Sequence, residues 1–213
     1  MSGCCDPRGC DRMFDGRFAR RVAKSYRRRG LDRTAARMVA LLEESGVAGA
    51  TVLEIGGGVG EIHLELLRRG ATSATALELS AAYDAEAARL LAEAGLTGRV
   101  RRRLADIADA PEAVEPADIV VLHRVVCCYP DYAKLLGAAA DHTRRQLVFS
   151  HPPRNAVSRA VVATQNLFLR LGGREFRVFA HPPAAMRAVL TDHGLRPVAA
   201  PGGRLWRVAT ATR

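Results

Sequence analysis

The segment from Glu54 to Gly60 reads EIGGGVG and combines a carboxylate with four glycines. It closes an apolar run at residues 51–55, and a helical pattern begins near Glu61. Glycines at such a strand-to-helix turn let the backbone approach an organic ligand closely. A dinucleotide-binding G-x-G-x-x-G motif starting at Gly56 would need Gly or Ala at position 61. Because a carboxylate there would oppose a pyrophosphate, the sequence disfavours a nicotinamide-dependent reductase.

Two further acidic residues lie at the carboxyl ends of predicted strands. Glu78 ends the strand at 73–78, and Asp106 follows the strand at 99–104. Open α/β sheets bind ligands at this edge. A carboxylate has two acceptor oxygens and can bind hydroxyl or amino groups of a ligand. We therefore expect both acids to join the glycine turn in one ligand site.

The E-x-G-x-G-x-G spacing of Glu54–Gly60 resembles the first motif of the class I methyltransferases that use S-adenosyl-L-methionine (SAM). The resemblance implies that Glu54 lies near the ammonium group of SAM, and that Glu78 and Asp106 bind its ribose and adenine. A carboxylate suits an ammonium because their charge-assisted hydrogen bond is strong. The expected product is S-adenosyl-L-homocysteine (SAH). The expected cofactor-binding residues are Glu54, Gly56, Gly57, Gly58, Gly60, Glu78, Leu79, Asp106, Ile107 and His123.

Residues after the fourth and fifth strands are candidates for the acceptor side of the reaction. Methyl transfer is an in-line displacement, so the protein has to position the nucleophile and manage any proton that it loses. His123 and Tyr129 follow the fourth strand, and His151 follows the fifth, and we expect all three to be catalytic. For His123 a general base and a cofactor contact remain equal alternatives. For His151 the alternative is an ordinary loop histidine.

The hydrophobic pattern alternates between short apolar runs and longer helical stretches from residue 51 onward, which is typical of βα units. It predicts an α/β, Rossmann-like class I methyltransferase fold: a mostly parallel seven-stranded sheet, an antiparallel C-terminal hairpin strand, and helices on both faces. Two helices precede the sheet within residues 11–45. The strands are predicted at 51–55, 73–78, 99–104, 117–122, 145–150, 196–200 and 205–209. The other helices are predicted at 60–69, 82–94, 131–142, 155–171 and 183–193.

Basic residues are concentrated at the N-terminus. Eleven Arg or Lys and four Asp lie within residues 1–37, which accounts for +7 of the formal net charge of +10. Clustered arginine binds phosphates generically, so an RNA or DNA methyltransferase remains an alternative. However, residues 123–126 read HRVV and not the N-P-P-Y type of motif found in base-methylating enzymes. We favour a small-molecule acceptor; a non-catalytic SAM-binding protein is a further alternative, and the oligomeric state is not predicted.

Cysteine spacing and hydropathy bear on metal binding and location. No apolar run reaches the roughly 18 to 20 residues of a membrane span, and no signal-like stretch begins the chain, so we expect a cytoplasmic protein. The odd number of cysteines, five, argues against a disulfide framework. Cys4, Cys5 and Cys10 lack the paired CxxC spacing of a structural zinc site. No metal is predicted, although one at these three cysteines stays open.

Two stretches near the C-terminus bear on the acceptor. Residues 165–170 (QNLFLR) and 179–183 (FAHPP) resemble the magnesium-protoporphyrin O-methyltransferases. This resemblance implies O-methylation of a carboxyl group on a wide, apolar acceptor; a hydroxyl acceptor is also open. We expect a basic helical extension at 1–45 and a lid-like insertion at about 152–182 to cover the acceptor beside a SAM-binding domain at 46–213.

Overall fold

The computed structural model describes residues 13–200, 203 and 205–213. Seven strands alternate with helices from residue 51 onward, as the hydrophobic pattern predicts. The helices are α1 (Gly16–Arg29), α2 (Arg33–Glu44), α3 (Glu61–Arg68), α4 (Asp84–Glu93), α5 (Tyr132–Asp141), α6 (Ala156–Leu171) and α7 (Pro183–Asp192). The strands are β1 (Thr51–Ile55), β2 (Ser73–Glu78), β3 (Val100–Leu104), β4 (Ala117–Leu122), β5 (Thr143–His151), β6 (Arg196–Val198) and β7 (Arg207–Thr212).

The strands form one sheet in the order β3-β2-β1-β4-β5-β7-β6. β1 to β5 run parallel, whereas β7 is antiparallel to both β5 and β6. The order in which strands join the sheet reverses at β1, since β2 and β3 follow on one side and β4 and β5 on the other, so a crevice opens between the carboxyl ends of β1 and β4. The mostly parallel sheet with an antiparallel C-terminal strand is confirmed. β7 begins two residues later and ends three residues later than predicted, because its pairing with β5 extends from Arg207 to Thr212.

Two apolar layers cover the sheet, one on each face. Alternate residues of one strand point to opposite layers, so Val148 packs with α1 to α4 and Phe149 packs with α5 and α7. Ala19 and Ala23 of α1 and Met38 of α2 are fully buried in the first layer. The two N-terminal helices are therefore part of the hydrophobic core.

α6 differs from the other helices because almost all of it is exposed. Only Leu169 is buried along its sixteen residues, whereas Phe168 is 69% exposed. Leu169 packs with Phe176 in a small separate cluster that also includes Phe14 and Cys128. Within the described ranges, no helix combines the length and apolar character needed to cross a membrane.

Candidate active site

A cavity of about 490 Å³ opens at the carboxyl edge of β1, β2 and β4. The sheet side of the cavity carries nearly all the residues predicted to bind a cofactor. These are Glu54, Gly56, Gly57, Gly58, Glu78, Leu79, Asp106, Ile107 and His123. α1 supplies the facing wall, including Phe18, Arg21, Val22, Ser25 and Arg29. The cavity therefore joins the predicted cofactor residues to the N-terminal helix.

Glu54 is buried near the end of β1, and its carboxylate is hydrogen-bonded to His63 of α3. Its Oε2 lies 2.6 Å from Nδ1 of His63 and accepts the backbone N–H of His63 at 3.1 Å. That N–H belongs to the first turn of α3, where backbone donors lack partners within the helix. A Cβ on Gly57 would lie 3.3 Å from the carboxyl carbon of Glu54. The glycine therefore leaves room for this carboxylate.

Two glycines of the turn are explained by protein packing. A Cβ on Gly56 would overlap the side chain of Val125, and a Cβ on Gly60 would overlap the ring of His63. Both glycines also have positive φ, 66° and 88°, which other residues rarely adopt. Gly60 does not line the cavity. Packing within the protein and positive φ therefore require glycine at both positions, independently of any ligand.

Glu78 is anchored by the backbone around it. Its Oε2 accepts the N–H of Gly58 at 2.8 Å, and its Oε1 accepts the N–H of Leu79, also at 2.8 Å. Burial raises the pKa of Glu78 and outweighs these hydrogen bonds, which favour the ionised form. The carboxylate ties the glycine turn to β2 and faces the cavity.

Tyr129 lies beside Asp106 in the lining of the cavity. Its hydroxyl donates to Oδ2 of Asp106 at 3.0 Å, and the N–H of Ala108 donates to Oδ1 at 3.0 Å. Tyr129 is buried, and both Tyr129 and Ile107 line the cavity. This contact groups Tyr129 with Asp106, which is predicted to bind the adenine.

His123 contacts the N-terminal region through Asp32. Its Nε2 lies 3.4 Å from Oδ2 of Asp32, and its Nδ1 lies 3.2 Å from Oγ of Ser150. The Ser150 hydroxyl oxygen accepts the N–H of Arg124 at 2.8 Å, so its hydrogen is available for Nδ1 of His123. In this arrangement Nε2 carries the imidazole hydrogen and donates to Asp32. Both ring nitrogens of His123 are thus engaged.

Asp32 links three elements at the mouth of the cavity. Its side chain caps α2 by accepting the N–H groups of Thr34 and Ala35, and it pairs with Nη2 of Arg124 at 2.8 Å. Burial alone would raise the pKa of Asp32, but hydrogen bonds from His123 and Ala35 and the adjacent positive charges hold it well below its usual range. Neither Asp32 nor Ser150 was predicted from the sequence. An N-cap pattern marks Asp32, but nothing local indicates its partner.

Glu61 also lines the cavity, at the start of α3. Burial raises the pKa of its carboxyl, and the negative charge of nearby Glu54 raises it further. The two neighbouring acids therefore differ in environment, since Glu54 accepts two hydrogen bonds from His63.

The expectation that His151 points into the same site is wrong. Side chains alternate along β5, so Ser150 faces His123 and His151 faces the opposite layer. His151 lines a different cavity of about 370 Å³ with Phe149 and Arg207. Its Nδ1 donates to the carbonyl oxygen of Pro152. His151 therefore does not line the cavity of about 490 Å³.

The three cysteines at which the sequence leaves a metal site open are not among the residues that the structure describes. Cys4, Cys5 and Cys10 lie outside the described residues, and so does most of the Pro201-Gly202-Gly203 turn. Cys127 and Cys128 follow β4 with their sulfur atoms 3.5 Å apart, and Cys128 lines the cavity. In the part of the chain that is described, no group of three or more His, Cys, Asp or Glu could hold a metal ion.

Comparisons with known proteins bear directly on this site. Residues 52–146 match the family model described as a methyltransferase domain, which spans β1 to the start of β5. Comparison of the whole sequence with curated proteins finds no match.

Solved structures share the fold over nearly the whole chain. Magnesium protoporphyrin IX methyltransferase from Synechocystis, solved with bound SAH, is 22% identical with a TM-score of 0.68, and the match covers 92% of this chain and 85% of that one. An O-methyltransferase family protein from Burkholderia thailandensis is 23% identical with a TM-score of 0.72, over 94% and 61% of the two chains. An O-methyltransferase family 2 protein from Planctomyces limnophilus, solved with apigenin, is 20% identical with a TM-score of 0.67, over 92% and 61%.

The matched domain covers the glycine turn, Glu78, Asp106 and His123. The strand order and the single antiparallel strand agree with the fold of these solved methyltransferases. Residues 52–146 thus match a methyltransferase domain, and the chain has the fold of the class I SAM-dependent methyltransferases.

Proposed function

We propose that this enzyme methylates a carboxylate oxygen of a small, largely apolar acceptor. The observation that carries the proposal is one continuous cavity, which has three acids at the sheet edge and an apolar wall with arginines on α1. The sheet edge suits SAM, and the α1 wall suits the acceptor.

The residues at the sheet edge fit the chemical groups of SAM. Glu54 would bind the ammonium, Glu78 the ribose and Asp106 the adenine amino group, with Leu79 and Ile107 beside the ring. Support comes from Oε1 of Glu54, which has no hydrogen bond from any described residue although Glu54 faces the cavity. SAM supplies a methyl carbon that its positive sulfur activates toward nucleophiles.

The wall formed by α1 favours an apolar acceptor with negative charge. Phe18 and Val22 supply apolar surface, and Arg21 and Arg29 bring guanidinium groups to the same wall. Guanidinium binds carboxylates in two-pronged geometry, which fixes orientation as well as affinity. The named substrate of the Synechocystis relative, magnesium protoporphyrin IX, belongs to this chemical class.

The surroundings of His123 also favour a carboxylate acceptor. A carboxylate is already ionised at neutral pH, whereas a hydroxyl has to lose a proton during the reaction. His123 is not arranged as a general base, because Nε2 donates to Asp32 and Nδ1 accepts from Ser150. We assign His123 the role of positioning Asp32 and, through it, the start of α2.

Titration calorimetry with SAH tests the cofactor site, with NADH as a control ligand. We expect the protein to bind SAH at micromolar concentration and not to bind NADH. Gly58→Arg should abolish SAH binding, because Gly58 has a φ of 53° and its N–H holds Glu78. Unchanged SAH affinity in this variant would contradict the assignment of the site.

Turnover assays test the acceptor. Magnesium protoporphyrin IX and a simple aromatic carboxylate are compared with apigenin, using radiolabelled SAM. We expect methylation of the carboxylates and little of apigenin; the reverse preference would overturn the carboxylate proposal. Methylation of neither class despite tight SAH binding would favour a non-catalytic SAM-binding protein.

His123→Ala separates positioning from cofactor contact. We expect KM for the acceptor to rise about tenfold or more, since small losses of alignment are costly, while the Kd for SAH stays nearly constant. A large loss of SAH affinity would instead make His123 a cofactor contact. A pH-dependent loss of kcat without a change in KM would return it to a general base.

A further inference from the structure

A buried histidine lies beneath the site, outside the set of cavity residues. His63 in the first turn of α3 is 0% exposed and contacts Glu54, whose side chain is 3% exposed. We propose that His63 is a positioning residue that holds Glu54 for the ammonium group of the methyl donor. This role rests on the proposed cofactor site and adds a residue that contacts no ligand.

The hydrogen bonds around Glu54 leave one of its oxygens available. The backbone N–H and Nδ1 of His63 both reach Oε2, at 3.1 Å and 2.6 Å. A carboxylate only accepts, so Nδ1 carries a hydrogen in this contact. Two donors on one oxygen fix the rotation of the carboxyl group. The other oxygen, Oε1, accepts no hydrogen bond from any described residue, and Glu54 lines the cavity.

The second ring nitrogen of His63 indicates the charge of the pair. Nε2 is buried and has no hydrogen-bond partner among the described residues. A hydrogen on Nε2 would be a buried, unpaired donor, which is costly. The favoured state is therefore a neutral imidazole with its hydrogen on Nδ1. The pair then keeps the single negative charge of Glu54, which an incoming ammonium neutralises.

Gly60 is the partner that lets His63 adopt this position. A Cβ at residue 60 would overlap Cε1 and Nε2 of the ring. The last glycine of the motif thus serves the histidine three residues later. The resulting chain of contacts runs from Gly60 to His63, from His63 to Glu54, and from Glu54 to the cavity.

The test uses two ligands that differ only at the amino-acid end. SAH carries the ammonium, whereas 5′-methylthioadenosine keeps the adenosine and sulfur but lacks it. In His63→Leu we expect SAH affinity to fall about tenfold or more, as for loss of a hydrogen bond to a charged group. Affinity for 5′-methylthioadenosine should stay within about twofold of wild type, since Glu78 and Asp106 are untouched.

Two amide variants make the test specific for the Nδ1 hydrogen bond. The side-chain nitrogen of His63→Asn lies near the position of Nδ1, and that of His63→Gln lies near the position of Nε2. We expect Asn to recover most of the SAH affinity and Gln to recover little. This comparison remains decisive if His63→Leu fails to fold. Glu54→Gln is the matched control and should reproduce the loss that is specific to SAH.

Three results would overturn the role of His63. One is an equal loss of both ligands in His63→Leu together with a lower Tm, which indicates structure alone. Another is equal recovery by Asn and Gln. The third is unchanged SAH affinity in His63→Leu. Failure of the wild-type protein to bind either ligand would instead contradict the proposed cofactor site, so the two failures are distinguishable.

Discussion

At the scale of single residues, Asp32 has the most consequential contacts. One carboxylate caps α2, accepts from His123 and pairs with Arg124, whose guanidinium also lies 5.1 Å from the ring centre of Trp206. These contacts bring the N-terminal region, the end of β4 and the start of β7 together at the mouth of the cavity. The contacts at the cavity mouth therefore require the carboxyl group of Asp32 to be ionised.

Asp32→Asn should reduce stability in a pH-dependent way. The folded-state pKa of Asp32 is lowered, so its stabilising contribution is present above the unfolded pKa of about 3.9 and disappears as the pH falls through the folded value. We expect Asn to lower Tm at pH 7 and the difference from wild type to shrink in acid. Thermal unfolding at a series of pH values measures this.

Asp15→Asn is the matched control for Asp32→Asn. Asp15 also caps a helix, α1, by accepting the N–H of Phe18, but it is exposed there. An amide retains an acceptor oxygen, so both variants keep the cap. A difference in Tm between Asp32→Asn and wild type that is constant with pH would contradict the assigned charge contacts.

At the scale of elements, α1 has two roles on two of its faces. Ala19 and Ala23 pack into the core, while Arg21 and Val22 line the cavity. The expectation that the extension at 1–45 forms a lid remains a prediction. Because α1 is packed in the core, its cavity-lining residues are held in place by that packing, whereas α6 is exposed and supplies no cavity residue.

Tyr26→Phe tests how α1 is attached to α3. The Tyr26 hydroxyl donates to Oε1 of Glu65 at 2.7 Å and accepts from Nη1 of Arg68 at 3.0 Å. Burial and the hydrogen bond to Glu65 raise the pKa of this hydroxyl. We expect Phe to lower the free energy of unfolding by about 1 kcal/mol, as for one net hydrogen bond, in chemical denaturation. No change would mean that packing alone holds α1.

At the scale of the whole molecule, residues before β1 and residues of the sheet share one core. Met38 and Leu42 of α2 are fully buried and pack in the same cluster as Val121 and Val148. The domain boundary predicted at residue 45, between an N-terminal extension and a catalytic domain, remains a prediction. We propose that residues 13–44 fold together with the sheet.

Met38→Ala distinguishes an integral N-terminal region from a peripheral one. Truncating a buried methionine costs about 2–5 kcal/mol of unfolding free energy if the region belongs to the cooperative core. Phe168→Ala on exposed α6 is the control and should change stability by less than about 0.5 kcal/mol. A small effect of Met38→Ala, or an early separate transition, would make the N-terminal helices a peripheral unit.

The sequence by itself determined the order of strands and helices along the chain and the edge of the sheet where the cavity opens. Both follow from local signals: the alternation of apolar runs, the glycine turn at Glu54–Gly60 and acids at strand ends. Predicted helix ends agree with the structure within one or two residues for α3, α5 and α7. These features depend on neighbouring residues, so a linear pattern can encode them.

Only the tertiary structure decided which distant side chains meet. Asp32 and His123 are far apart in the chain and touch because α2 and β4 converge, and Glu54 meets His63 because α3 folds back under β1. The direction of His151 depended on the strand extending to residue 151, since one step along a strand reverses a side chain. Such contacts arise from packing between elements, and no spacing along the chain specifies them.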